Sequence, residues 1–301
     1  MNRLTKKYAF LTLSFVFLFI IWGTLSLIGE KSKSPIPKIG RFKHLKKIEI
    51  SSQKAKNITL VLSNDSWYIS PENFEVDEDA ISQLTNLIEN FEVVDFVSKS
   101  IGLSQFELDE KNRSKLTIFY NDNKSQTIYF GKFAPTKKHT YIQFPEDTGV
   151  YLCKGNFYFA INKTKEEFRS KKILSFNNEE ILSINWTESD KEFSIFPLED
   201  IKTNFKWGMS WLDSREANAS NVRNFLLLLN PLYAIEFLSN VDTKKPPLRN
   251  MTIKTKSTNY EITLYSQDKE GDYLIGIKGK NEYYKITKFA GDNLMKSHTN
   301  F

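Results

Sequence analysis

The sequence predicts an α+β protein: an N-terminal transmembrane helix followed by two tandem repeats, each an antiparallel sheet with one amphipathic covering helix. Three observations carry this prediction. An uncharged apolar run opens the chain, a segment near residue 81 matches one near residue 222 without a gap, and β-rich segments separated by polar turns follow both.

Residues 8–29, YAFLTLSFVFLFIIWGTLSLIG, hold no charge. At a rise of ~1.5 Å per residue they make about 33 Å of helix, enough for a hydrocarbon core ~30 Å thick. A cleaved signal peptide has an apolar region of only ~7–15 residues ending in a small-residue pattern. This run is longer and ends in SLIGEKS, so an uncleaved anchor in contact with the lipid bilayer is expected. Residues 1–7 form a basic tail with Arg3, Lys6 and Lys7, and residues 30–47 a Lys-rich juxtamembrane stalk containing Pro35 and Pro37. The stalk is suited either to lie on anionic headgroups or to act as a solvated linker. Basic residues flank the span on both sides, three before and seven after, so counting them does not set its orientation cleanly and by itself favours a cytoplasmic body. A short basic head followed by the first hydrophobic helix is the layout of a signal anchor. It places the chain in the cytoplasmic (inner) membrane as a single-pass protein, with its body facing the periplasm or cell exterior.

The body reads as two repeats, residues 48–161 and 179–298, joined by a charged connector at 162–178 that is expected to be helical. At an offset of 141, Ile81, Leu84, Leu87, Ile88 and Phe91 fall on Val222, Phe225, Leu228, Leu229 and Leu232. This is the apolar stripe of one amphipathic helix in each copy. Asp77 and Ser220 are the expected N-caps, and the helices are expected to end near Asn90 and before Pro231. A tryptophan, Trp67 or Trp207, precedes each helix, one residue out of the common register. Strands are expected afterwards at 116–120, 126–130, 140–144 and 150–153 in the first copy, and at 251–253, 260–265, 273–277 and 283–286 in the second. Each repeat is therefore a hairpin, a helix and a meander, with the helix covering one face of the sheet.

Charge excludes one class of function. The chain carries 42 basic and 36 acidic residues, but residues 1–50 hold ten basic against two acidic, which leaves 32 against 34 for the rest. The basic excess belongs to the membrane-proximal end, so no nucleic-acid partner is expected. A single cysteine, Cys153, excludes an internal disulfide framework and a multi-cysteine zinc site. Within a strand, it reads as a buried and inert thiol.

The search for chemistry yields no catalytic, cofactor-binding or metal site. His44, His139 and His298 have no partner ligand three or four residues away and read as surface residues. The acidic run Asp77, Glu78, Asp79 opens a helix, where negative charge complements the dipole. The run from Asp268 through Glu270 to Asp272 is a strand-to-strand turn lacking the twelfth-position ligand of a calcium loop. Glycine-rich phosphate loops are absent, so an ATPase role within this chain is not expected, and no motif calls for a cofactor. The aromatic groups at 157–159 and 207–211 are candidates for a sticky patch, although most aromatics are expected in the core.

The order of landmarks carries a resemblance. Trp67 on a strand, the helix at 81–91, Ile101-Gly102-Leu103, the strand ending in Ile128-Tyr129-Phe130-Gly131, Tyr141-Ile142, Val150-Tyr151, Phe168-Arg169 and Lys172-Ile173-Leu174 follow one another as in the bacterial domain-of-unknown-function 4340 family. No proline follows Gly102-Leu103, and the second copy lacks a Gly-Leu. The resemblance implies a membrane-anchored protein of the kind often encoded beside ABC-transporter subunits, including those of the gliding-motility type, and brings no catalytic residue. The expectation is a non-enzymatic, single-pass membrane protein whose extracytoplasmic repeats act as an interaction or scaffold module, with ABC-transporter membrane subunits as the implied partner. The alternative is a membrane-tethered hydrolase or envelope-polymer-binding protein with a site assembled from distant residues.

Overall fold

The computed structural model describes residues 13–24, 36–37, 39–99, 102–120, 124–211, 216–239, 241, 246–280 and 282–301. The chain divides into two compact units, Met1–Arg169 and Ser170–Phe301.

Residues 13–24 form helix α1, whose apolar side chains from Leu13 to Trp22 are exposed. The rest of the expected span, 8–12 and 25–29, lies outside the described residues, as do the tail at 1–7 and stalk residues 30–35 and 38. No described helix is long and apolar enough to cross a membrane. The stalk ends earlier than residue 47. Phe42 is fully buried, its ring 4.9 Å from Tyr120 and 5.8 Å from Phe91. Burying such a ring is favourable by about 2 kcal/mol, enough to draw the flanking Lys-rich backbone onto the first unit.

The first unit then runs β1 (Leu45–Ser51), β2 (Ile58–Ser63), β3 (Ser66–Ser70), β4 (Phe74–Glu75), α2 (Glu78–Glu89), β5 (Val93–Lys99), β6 (Ser114–Tyr120), β7 (Lys124–Phe133), β8 (His139–Gln143), β9 (Gly149–Lys154), α3 (Phe157–Ile161) and α4 (Lys165–Phe168). Its sheet has the order β4-β3-β2-β1-β6-β7-β8-β9-β5, with antiparallel pairing throughout. The segment before α2 is thus longer than a hairpin. The chain leaves one edge of the sheet at β4 and re-enters at the other as β5, so the connecting helix must cross a face. Asp77 caps α2 as expected, its carboxylate accepting from the Ala80 N–H at 2.9 Å. Ile81, Leu84 and Ile88 are buried, packing among Ile48, Leu60, Ile118 and Phe130 of the strands.

The second unit runs β10 (Lys172–Leu174), β11 (Ile181–Glu188), β12 (Lys191–Pro197), β13 (Trp207–Met209), α5 (Ala219–Leu229), β14 (Leu232–Tyr233), β15 (Glu236–Leu238), β16 (Arg249–Thr255), β17 (Asn259–Gln267), β18 (Tyr273–Ile277), β19 (Tyr283–Ile286) and α6 (Lys288–Leu294). Its sheet order, β13-β12-β11-β16-β17-β18-β19-β15, reproduces that of the first unit from β3 to β5 strand for strand. Val222, Phe225 and Leu229 are buried where the self-match places Ile81, Leu84 and Ile88. Trp207, on the strand equivalent to that of Trp67, is fully buried.

Two local expectations are corrected. Ser220 is not the cap of α5: Asn218 is, accepting from the N–H groups of Ser220 and Asn221 at 3.0 and 3.1 Å. Asparagine is as good a cap as serine, and its position two residues earlier gives the helix a fuller first turn. The connector is not one helix. It makes a single turn, α4, closed by a capping box on Thr164, and then strand β10 pairs with β14. Phe168 and Leu174 are both buried, each in the core of its own unit, so the apolar residues within the charged run set its path.

Candidate functional site

Each unit carries a cleft between its covering helix and the short helix that follows the last meander strand. In the first unit, Gln83, Asn86 and Leu87 of α2 face Lys154, Asn156 and Phe159 across a cleft of about 590 Å³. In the second, Asn224, Leu227 and Leu228 of α5 face Phe289, Asn293 and Lys296 across one of about 500 Å³. The three helix positions of one cleft map onto those of the other at the same offset of 141 that aligns the repeats. The cleft is therefore part of the repeated architecture.

Its rims are apolar and open to solvent. Phe159 is 59% exposed, Leu227 68% and Phe289 68%. A signal for one of them is present in the sequence. Residues 226–229 of α5 are four consecutive leucines, which turn through most of the helix circumference, so they cannot all face one sheet. Leu226 and Leu229 are buried and Leu227 points away. Phe159 is signalled only as part of the aromatic group at 157–159, and Phe289 gives no signal, because their helices are too short to show a period that would tell the outward residue from the inward one.

Both clefts also hold an asparagine whose carboxamide oxygen is buried without a donor: Asn156 in the first and Asn293 in the second. Asn293 is 3% exposed and its Nδ2 donates to the Phe225 carbonyl at 3.1 Å. Unpartnered buried acceptors are uncommon in native interiors.

Other sequence candidates settle differently. The aromatic group at 157–159 divides, with Phe157 in the core and Phe159 at the cleft rim. Trp211 is absorbed into packing, 5.8 Å from Trp186 and 5.4 Å from Phe193. Cys153 is fully buried, and burial pushes its thiol up to about 12 against a weaker opposing hydrogen bond at Thr140. Asp268, Glu270 and Asp272 do converge, with carboxylate oxygens within 4.8 Å of one another. The Lys285 ammonium lies among them, 2.7 Å from Asp268, 2.8 Å from Glu270 and 3.7 Å from Asp272. Strand β19 thus supplies the turn with a counter-charge.

His44 is exposed and His139 is half-buried beside Thr136. His298 is the exception to the surface expectation. Its ring stacks on Phe193 with centroids 4.2 Å apart, and its Nδ1 lies 3.2 Å from Glu188 Oε2. Ser297 Oγ donates to Glu188 Oε1 at 2.9 Å and lies 3.4 Å from the same Nδ1. A nucleophilic triad places acid and hydroxyl on opposite ring nitrogens. Here both sit on Nδ1, an arrangement that anchors residues 297–301 to the sheet.

A family model described as a domain of unknown function (DUF4340) matches residues 67–250, from β3 of the first unit to β16 of the second. No curated protein and no solved structure matches the chain.

Proposed function

Because the chain belongs to the DUF4340 family, whose function is unknown, we propose a function from its geometry: it is a non-enzymatic, single-pass membrane-anchored protein whose two α+β units, outside the cytoplasm, dock partner proteins. The observation that carries this reading is the repeated open cleft with exposed Phe159 in one unit and Leu227 and Phe289 in the other. Large apolar side chains at a groove rim are what an interface buries. The anchor is supported by the uncharged run at 8–29, and the implied partner, an ABC-type transport complex in the same membrane, by the family resemblance. A hydrolytic site favours convergent carboxylates in one cleft. Four clefts formed by described residues carry at most one carboxylate each.

The test is co-purification of the full chain in mild detergent, wild type against the double variant Phe159→Asp, Leu227→Asp. Both positions are exposed, so circular dichroism is expected to be unchanged. Membrane partners are expected to accompany the wild type and to be lost from the variant. Equal recovery with both proteins overturns the reading.

A further inference from the structure

The two clefts differ in charge, and the difference specifies what the second one takes; the inference rests on the docking reading above. At the first cleft, Lys154 faces Glu92 at 3.8 Å. Lys296 at the second is half-buried and has no carboxylate within ion-pair distance among the described residues. The carboxylate that lines the same cleft, Asp292, is already engaged by Lys288 Nζ at 2.7 Å and by the Tyr273 hydroxyl at 2.7 Å. Burial lowers the proton affinity of the Lys296 ammonium from its ordinary value. A partly desolvated cation without a counter-charge is costly, and a docked anion offsets that cost. Beside it, the Asn293 oxygen lacks a donor and the side chains of Leu227, Leu228 and Phe289 offer apolar surface.

We infer that the cleft between α5 and α6 is the docking site for an acidic amphipathic segment of a partner protein, with an apolar side chain between Leu227 and Phe289, a carboxylate on Lys296 and a hydrogen-bond donor for Asn293. The exposed rims favour a polypeptide segment over a small molecule, since small-molecule sites enclose most of their ligand. A helical turn presenting apolar and acidic residues three or four apart fits an open groove of this kind.

The probe is a fluorescent synthetic helical peptide of about 16 residues, with Leu and Glu spaced three and four apart, and a counterpart carrying Lys for each Glu. Binding to the full chain in non-ionic detergent is read by anisotropy. The acidic peptide is expected to bind the wild type, and Lys296→Glu to weaken it about tenfold while gaining affinity for the lysine peptide. That gain cannot arise from misfolding. Phe289→Asp is expected to abolish binding of the acidic peptide. Equal affinity of the wild type for the two peptides, indifference to Lys296→Glu, or saturation by sodium dodecanoate without peptide binding each overturns the inference. If Leu227→Asp releases the co-purifying partner while Lys296→Glu retains it fully, the docking reading stands and this inference falls.

Discussion

Glu188, at the end of β11, receives the backbone N–H of His298 at 3.1 Å and sits 3.2 Å from the ring Nδ1 of the same residue, although 110 positions separate them. Arg249 completes the group. Its guanidinium is buried, Nη1 donating to the carbonyls of Leu294 and Lys296 at 3.0 and 2.6 Å, with Nη2 3.7 Å from Glu188. One carboxylate thus ties the sheet to the segment that lies beyond α6.

This tie makes stability acid-sensitive. Burial raises the Glu188 carboxyl, but the His298 N–H, the Ser297 hydroxyl and the His298 ring together hold it down to about 2, from an ordinary 4.5. A carboxylate depressed in the folded state stabilises fully above the unfolded value, and that contribution fades as pH falls from ~4.5 through ~2; by linkage it is at most about 3 kcal/mol. Glu188→Gln is expected to lower Tm at pH 7 and to flatten the decline of Tm across that acid window. Parallel Tm curves for variant and wild type between pH 5 and 2.5 would remove Glu188 from this role.

Cys153 and Ser257 predict opposite labelling. Cys153 is fully buried with its thiol pushed up to about 12, so native protein is expected not to react with an impermeant maleimide and to react after denaturation. Ser257, exposed in the turn between β16 and β17, gives a reporter Ser257→Cys that needs no change at Cys153. Labelling of this reporter in intact cells, with access through any outer membrane established, is expected if the body lies outside the cytoplasm. Labelling only after lysis refutes that topology.

Gly131 sits where two backbones meet closely. A Cβ at this position in β7 meets the Phe106 carbonyl oxygen, which is backbone and has no room to yield, and presses on the Leu108 side chain at 3.0 Å. Phe106 closes the 3-10 turn that starts at Leu103, after Gly102 with φ of 75°. The Gly102-Leu103 segment and Gly131, within β7, are thus two sides of one close approach. Gly131→Ala is expected to destabilise by about 1–3 kcal/mol, measured by denaturant unfolding. A neutral result would mean that the two backbones separate freely.

Asn218 and Ser220 separate the observed cap from the expected one. Asn218→Ala is expected to cost about 1 kcal/mol, and Ser220→Ala less than ~0.5 kcal/mol, in equilibrium unfolding. The reverse order would restore Ser220 as the start of α5.

How much was legible follows from which signals are local. The stripe Ile81, Leu84 and Ile88, and its copy at Val222, Phe225 and Leu229, was readable because a helix imposes its own period on sequence. The strands of both meanders were readable for the same reason, and Asp77 because a cap acts within one turn. Asn218 was missed because two capping residues stood in reach of the same helix, and the connector because a charged run hides the few apolar residues that decide its course. The clefts were not legible as sites. Phe159, Phe289 and Lys296 lie on short elements or beyond them, and only the aromatic group at 157–159 and the four leucines at 226–229 hinted at an outward-facing apolar residue.

The sequence by itself determined the uncharged run at 8–29, the doubling of the body, the covering helix of each copy and the α+β class, because hydrophobic periodicity and self-similarity are properties of neighbours along the chain. Only the tertiary structure decided that β1 and β11 lie inside their sheets beside β6 and β16, that Lys285 sits among the carboxylates of the acidic turn, that His298 reaches Glu188, and that an open cleft recurs in both units. These depend on which distant residues the strand order brings together, and strand order is settled by burying both apolar faces at once, a global condition with no trace in any single segment.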